Sequence, residues 1–112
     1  MAYRRQISSS NGTTDVTILS APAASTSRTV NAGSINIANN DTATINVTLQ
    51  LKHAGGDLIL YPNIEILPDD TWTNQKSIHC IDVATDTLEI FLAGAVAATE
   101  ASIAVVYRDE GQ

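Results

Sequence analysis

The sequence predicts an all-β chain, folded as a single antiparallel β-sandwich of jelly-roll-like type with about eight short strands and an extended N-terminal arm. Three observations predict it. Ala43–Leu51 alternates Ile45, Val47, Leu49 and Leu51 with Thr44, Asn46, Thr48 and Gln50, as a strand does when one face packs on a core and the other meets water. Short runs of this kind recur at a spacing of roughly 8–12 residues with turn residues between them. Nowhere does an i, i+3, i+4 apolar stripe run long enough to predict a helix.

A chain of 112 residues suits one domain and can bury enough apolar surface to fold without disulfides or metals. Ser, Thr and Asn supply 30 of those residues and aromatics only 4%. The core must therefore be small and aliphatic, and the polar faces carry hydroxyls and amides more than charges. We divide the chain into an arm, residues 1–13, and a sandwich domain, residues 14–112.

The arm holds Arg4 and Arg5, no acid, and the polar run Ser8-Ser9-Ser10-Asn11-Gly12, with no pattern that buries a face. It admits two readings, a disordered terminus or a basic arm that docks on an acidic neighbour in an assembly, which makes Arg4 and Arg5 candidate assembly contacts. All twelve acids lie beyond it.

Asp15–Ser20 alternates Val16 and Ile18 with Thr17 and is stopped by Ala21-Pro22, since proline lacks a backbone donor. Arg28–Ala38 offers Val30, Ile35 and Ile37, with Gly33 marking a bulge or bend. Asn39-Asn40-Asp41 is a turn, so Arg28–Leu51 reads as a hairpin. His53–Asp57 makes the next turn, Leu58–Leu60 resumes, Pro62 interrupts, and Ile64–Leu67 runs to Pro68-Asp69-Asp70. A short strand includes Trp72, followed by Lys76–Val83 and Thr87–Leu92. Ala101–Arg108 completes the set; Gly94 and the β-branched run before Tyr107 make 93–106 a hairpin in preference to an alanine-rich helix.

The net charge of −6, with six scattered basic residues, argues against nucleic acid as a partner. No run reaches the roughly 20 apolar residues of a membrane helix, and no signal peptide is visible, so synthesis in a cytoplasm is expected. The Asn-x-Thr triplets at Asn11, Asn40 and Asn46 then read as chance matches.

No motif carries chemistry. Cys80 has no partner for an internal disulfide, and His79 beside it would point to the opposite face of a strand, so the two do not ligate one metal. His53 has Asp57 within reach in the turn, but a solvated loop histidine is the preferred reading. Asp69 and Asp70 offer hard oxygens to calcium, but the spaced ligand pattern of a calcium loop is missing. With no Gly-x-Ser-x-Gly elbow and no phosphate loop, no catalytic, cofactor or metal residue is assigned, and a non-enzymatic protein without cofactors is expected. Trp72 and Tyr61 remain as candidate surface-binding residues, either a sugar-stacking platform or, as we favour, aromatic packing.

Four strings, Val-Thr-Ile-Leu-Ser-Ala-Pro-Ala (16–23), Ser-Ile-Asn-Ile-Ala-Asn-Asn-Asp (34–41), Thr-Ile-Asn-Val-Thr-Leu (44–49) and Leu-Tyr-Pro-Asn-Ile-Glu-Ile (60–66), together resemble the small β-sandwich virion structural proteins of tailed bacteriophages. The likeness covers residues 14–108. It implies a virion component, first of all a capsid decoration or cement protein that stabilises the shell as a homotrimer on the major capsid protein. A neck, tail or head-fibre component is the alternative it leaves open. A carbohydrate-binding sandwich using Trp72 is the alternative from another class.

Overall fold

The computed structural model describes residues 3–23, 26–53, 56–81 and 86–111, and these contain ten strands and no helix. The strands are β1 (Tyr3–Ser10), β2 (Val16–Leu19), β3 (Thr26–Val30), β4 (Ile35–Ala38) and β5 (Ile45–His53), then β6 (Gly56–Ile66), β7 (Thr71–Thr73), β8 (Ile78–Ile81), β9 (Thr87–Leu92) and β10 (Ala101–Gly111). All strand pairs are antiparallel. No helix long and apolar enough to cross a membrane occurs among the described residues.

One sheet has β10 at its centre. On one side β10 bonds β1; on the other, Ser102–Val105 bond β4 and Arg108–Gly111 bond β3. Thus β3 and β4 are two halves of one strand position, and β8 and β7, which pair with them in turn, are two halves of the next. The second sheet runs β2-β9-β5-β6. Ten strands therefore fill eight positions, and counted along the chain these lie as 1-8-3-6 in one sheet and 2-7-4-5 in the other, which is the double Greek key of a jelly roll.

The core is aliphatic, as the composition requires. Ile18, Val30, Ile35, Ile37, Val47, Leu49, Leu88, Ile90 and Val105 are fully enclosed between the sheets, and Leu51 and Ile64 pack against them from the margin. The break between β3 and β4 falls at Gly33, whose φ of +80° is one that residues with a side chain rarely adopt, so the bend predicted there is present. Its N–H donates to the carbonyl of Asn74 at 2.8 Å, in the matching break between β7 and β8.

Several expectations are corrected. Residues 3–10, expected as an arm outside the sandwich, form β1: their backbone finds partners along Ala101–Arg108 of β10, and the alternation of Gln6, Ser8 and Ser10 toward the interior needs no apolar residue because Ser10 alone is fully buried. Arg28–Leu51 is not a hairpin. β4 belongs to one sheet and β5 to the other, so the 39–44 turn is an arch across the core; the same holds for β9 and β10. β5–β6 is the one chain-adjacent hairpin among the described strands. Pro62 does not end β6, because β6 lies at a sheet edge and a bulge at 62–63, with Asn63 at φ 47°, absorbs the missing donor. The side chains of His79 and Cys80, in β8, lie outside the described residues, as does the 82–83 end of the strand expected there.

Candidate functional site

A jelly roll has two open edges and two loop ends, and each is a place where side chains converge. At the end formed by the 11–15, 39–44, 67–70 and 93–100 connections the loops are bonded to one another. Asp41, 3% exposed, accepts the N–H of Ala97 on Oδ2 at 2.7 Å and those of Ala98 and Thr99 on Oδ1 at 2.8 and 3.2 Å. The Ala97 bond above all, then the others and the N–H of Thr42, holds the carboxyl below its ordinary value of 3.8 against the opposing effect of burial. Asn39, 1% exposed, donates to the carbonyls of Ala43 and Ile66. A cleft of about 330 Å³ opens beside Asp41, walled by Ala43, Thr44, Asn46, Ala93 and Gly94. Its one carboxylate is already engaged by backbone donors.

The Asp69-Asp70 turn sits at this end with Asp69 at φ 62°. Asp70 Oδ1 accepts the N–H of Thr71 at 2.9 Å, and the backbone of both residues bonds Asn39. Among the described residues no three His, Cys, Asp or Glu side chains converge as a ligand set. The Nδ1 atom of His53 pairs with the carboxylate of the buried Asp86, just before β9, and not with Asp57, which stands opposite Lys52 in the hairpin.

The first edge is made by β6 with β7 and β8. Trp72 lies opposite the buried Ile37, so its indole turns inward and stands at the rim, half-buried; the Tyr61 ring meets it edge to face, centroids 4.9 Å apart at 72°. The structure thus brings the two candidate binding aromatics together as a plug between the sheets. Beside them Leu60, Tyr61, Lys76, Ser77 and Ile78 line a cleft of about 260 Å³. Beyond it Leu58 is 57% and Ile59 53% exposed.

The second edge is β1 with β2, bridged by Gln6, whose Oε1 accepts from the N–H and hydroxyl of Ser20. Arg4 and Arg5 lie exposed on β1, opposite Tyr107 and Val106, and neither has a salt-bridge partner among the described residues. Tyr3 is 57% and Ile7 69% exposed on the same strand. The two pairs of candidate residues thus occupy opposite edges of the molecule. Sequence reasoning missed Ile7, Leu58 and Ile59 as surface residues: an isolated isoleucine in a serine run and two leucine-type residues in a strand carry no mark of exposure without knowledge of which strands end the sheets.

No family model matches the sequence, and no curated protein matches it. Solved structures do. A chain in the structure of infectious bursal disease virus Gt strain aligns with a TM-score of 0.50 and 13% identity over 97% of this chain, which spans 29% of the viral one. PirA, in its crystal structure, aligns with a TM-score of 0.46 and 17% identity over 95% of this chain and 93% of its own. A chain of the cyanophage Pam1 capsid asymmetric unit aligns with a TM-score of 0.41 and 16% identity over 95% of this chain and 82% of its own. At these identities the likeness is one of fold.

Proposed function

We propose that this protein is a non-enzymatic structural component of a bacteriophage virion, first of all a capsid decoration protein that stabilises the shell, with a neck, tail or head-fibre place as the alternative. The observation that carries the reading is the pair of open sheet edges, each bearing large exposed apolar side chains, Tyr3 and Ile7 on one and Leu58 and Ile59 on the other. Sheet edges invite pairing, and exposed apolar side chains on them mark contact surfaces. Repeated copies in a particle cover both. The fold shared with a chain of a virus structure, and the phage-protein resemblance of residues 14–108, support the same reading.

The carbohydrate-binding alternative asks Trp72 to stack on a sugar, yet the indole is half-buried and already engaged by Tyr61. Co-sedimentation with purified phage shells tests the virion reading: the protein is expected in the pellet with shells and in the supernatant without them. Glycan-array binding abolished by Trp72→Ala, with no binding to shells, would replace it.

A further inference from the structure

We propose that β1 of one copy docks along the free edge of β6 in a second copy, extending the β2-β9-β5-β6 sheet across the boundary between subunits. The inference rests on the virion reading and deepens it by naming the two surfaces that meet. Both strands end their sheets among the described residues, and they lie at opposite edges of the sandwich. Each copy therefore offers one surface of each kind, and the contact is head-to-tail. Such contacts close into rings or run on as filaments.

Charge selects this pairing over the two symmetric ones. β1 carries Arg4 and Arg5, exposed, with no acid in the strand. β6 carries Asp57 and Glu65, exposed, with no basic residue in the strand. Lys52 stands opposite Asp57 on β5, but among the described residues it forms no ion pair. Pairing β1 with β1 gathers four arginines at one seam, and pairing β6 with β6 gathers acids; β1 on β6 sets opposite charges together.

The side-chain rows agree with that choice. In β5 the core row is Ile45, Val47 and Leu49, so Gln50 and Lys52 point outward, and their partners on β6, Ile59 and Asp57, point outward with them. In β10 the core row is Ile103, Val105 and Tyr107, so β1 turns Tyr3, Arg5 and Ile7 to the outer face. With Arg5 opposite Asp57, an antiparallel approach places Tyr3 opposite Ile59, and a parallel one places Ile7 there. Either direction covers two apolar side chains at once. The register shifts at 62–63 and again between Ile59 and Tyr61 leave Gly56–Ile59, which contains both Asp57 and Ile59, as the regular length of edge that can accept a strand.

Sedimentation velocity of the full chain tests the proposal. The wild type is expected to associate, more weakly as salt is raised, because the seam's ion pairs are exposed. Arg5→Asp and Asp57→Arg should each weaken association by about tenfold or more, equivalent to about 1.4 kcal/mol. The double variant should recover most of it, with circular dichroism unchanged throughout. Association unaltered by either single substitution, or a double variant as dissociated as the singles, overturns the edge pairing. If such a protein still pellets with shells, the virion reading stands without it; a chain that neither associates nor pellets with shells removes both.

Discussion

The Oδ1 atom of Asn74 accepts the backbone N–H of Ile35 at 2.9 Å, across the breaks that divide two neighbouring strand positions. From the same side chain Nδ2 donates to the carbonyls of Asn31 and Lys76 at 3.1 and 2.8 Å. Where β3 gives way to β4 and β7 to β8, the ladder loses its regular partners, and one buried amide replaces them.

Asn74→Ala should therefore be costly although it removes only a small polar side chain. It leaves a buried donor and acceptors without partners, at about 1–3 kcal/mol. Urea denaturation should show the midpoint lowered with the slope unchanged; an unshifted midpoint would mean that water replaces the amide.

Asp41 predicts the acid limb of stability. Its carboxyl is held below 3.8 in the folded chain by the N–H groups of Ala97, Ala98, Thr99 and Thr42, so its contribution is complete above that value and fades as the pH falls through it toward the lower folded value. Thermal melts between about pH 5 and pH 2 should show the wild type losing stability, and Asp41→Asn, already less stable at neutral pH, losing less over that window. Parallel pH profiles for the two proteins would contradict the assignment.

Arg28 makes three kinds of contact: Nε to Asp109 Oδ1 at 2.8 Å, Nη1 to the carbonyl of Ser20 at 2.6 Å, and its guanidinium 4.5 Å from the centre of the Tyr107 ring. A lysine keeps the charge but not the planar fork. Arg28→Lys is expected to cost about 1 kcal/mol in a denaturant titration, and retention of full stability would show that charge alone matters here.

The legible part of the fold was the alternation. Ile45, Val47, Leu49, Leu88, Ile90, Ile103 and Val105 were readable as core because each strand buries one face, whichever strand lies beside it. Pairing was not legible in the same way. A turn such as Asn39-Asn40-Asp41 looks alike whether it folds a strand back on its own sheet or arches to the other, and only the buried contacts of Asn39 and Asp41 with distant backbone settle the arch. β1 was hidden for a related reason: Gln6, Ser8 and Ser10 face inward as polar residues, so the period-two signal is absent although the strand is present. Of the candidate site, Trp72 and Tyr61 were visible as rare aromatics, while Leu58, Ile59 and Ile7 became distinctive only once their strands proved to be sheet edges.

Because β1 bonds β10 along Tyr3–Ser10, removing residues 2–10 should do what trimming a loose arm does not. The edge of β10 beside Ile103 and Val105 loses its cover, and the truncated chain should melt well below the full one and aggregate on heating. An unchanged melting temperature would return these residues to the status of a tail.

Electron cryomicroscopy of purified phage particles decorated with this protein tests the virion proposal most directly. The expected result is density for the jelly roll at symmetry-related positions on the particle, with the β1 and β6 edges in contact with neighbouring subunits. Particles complete without it, together with a chain that remains monomeric in solution, would contradict the assignment to the virion.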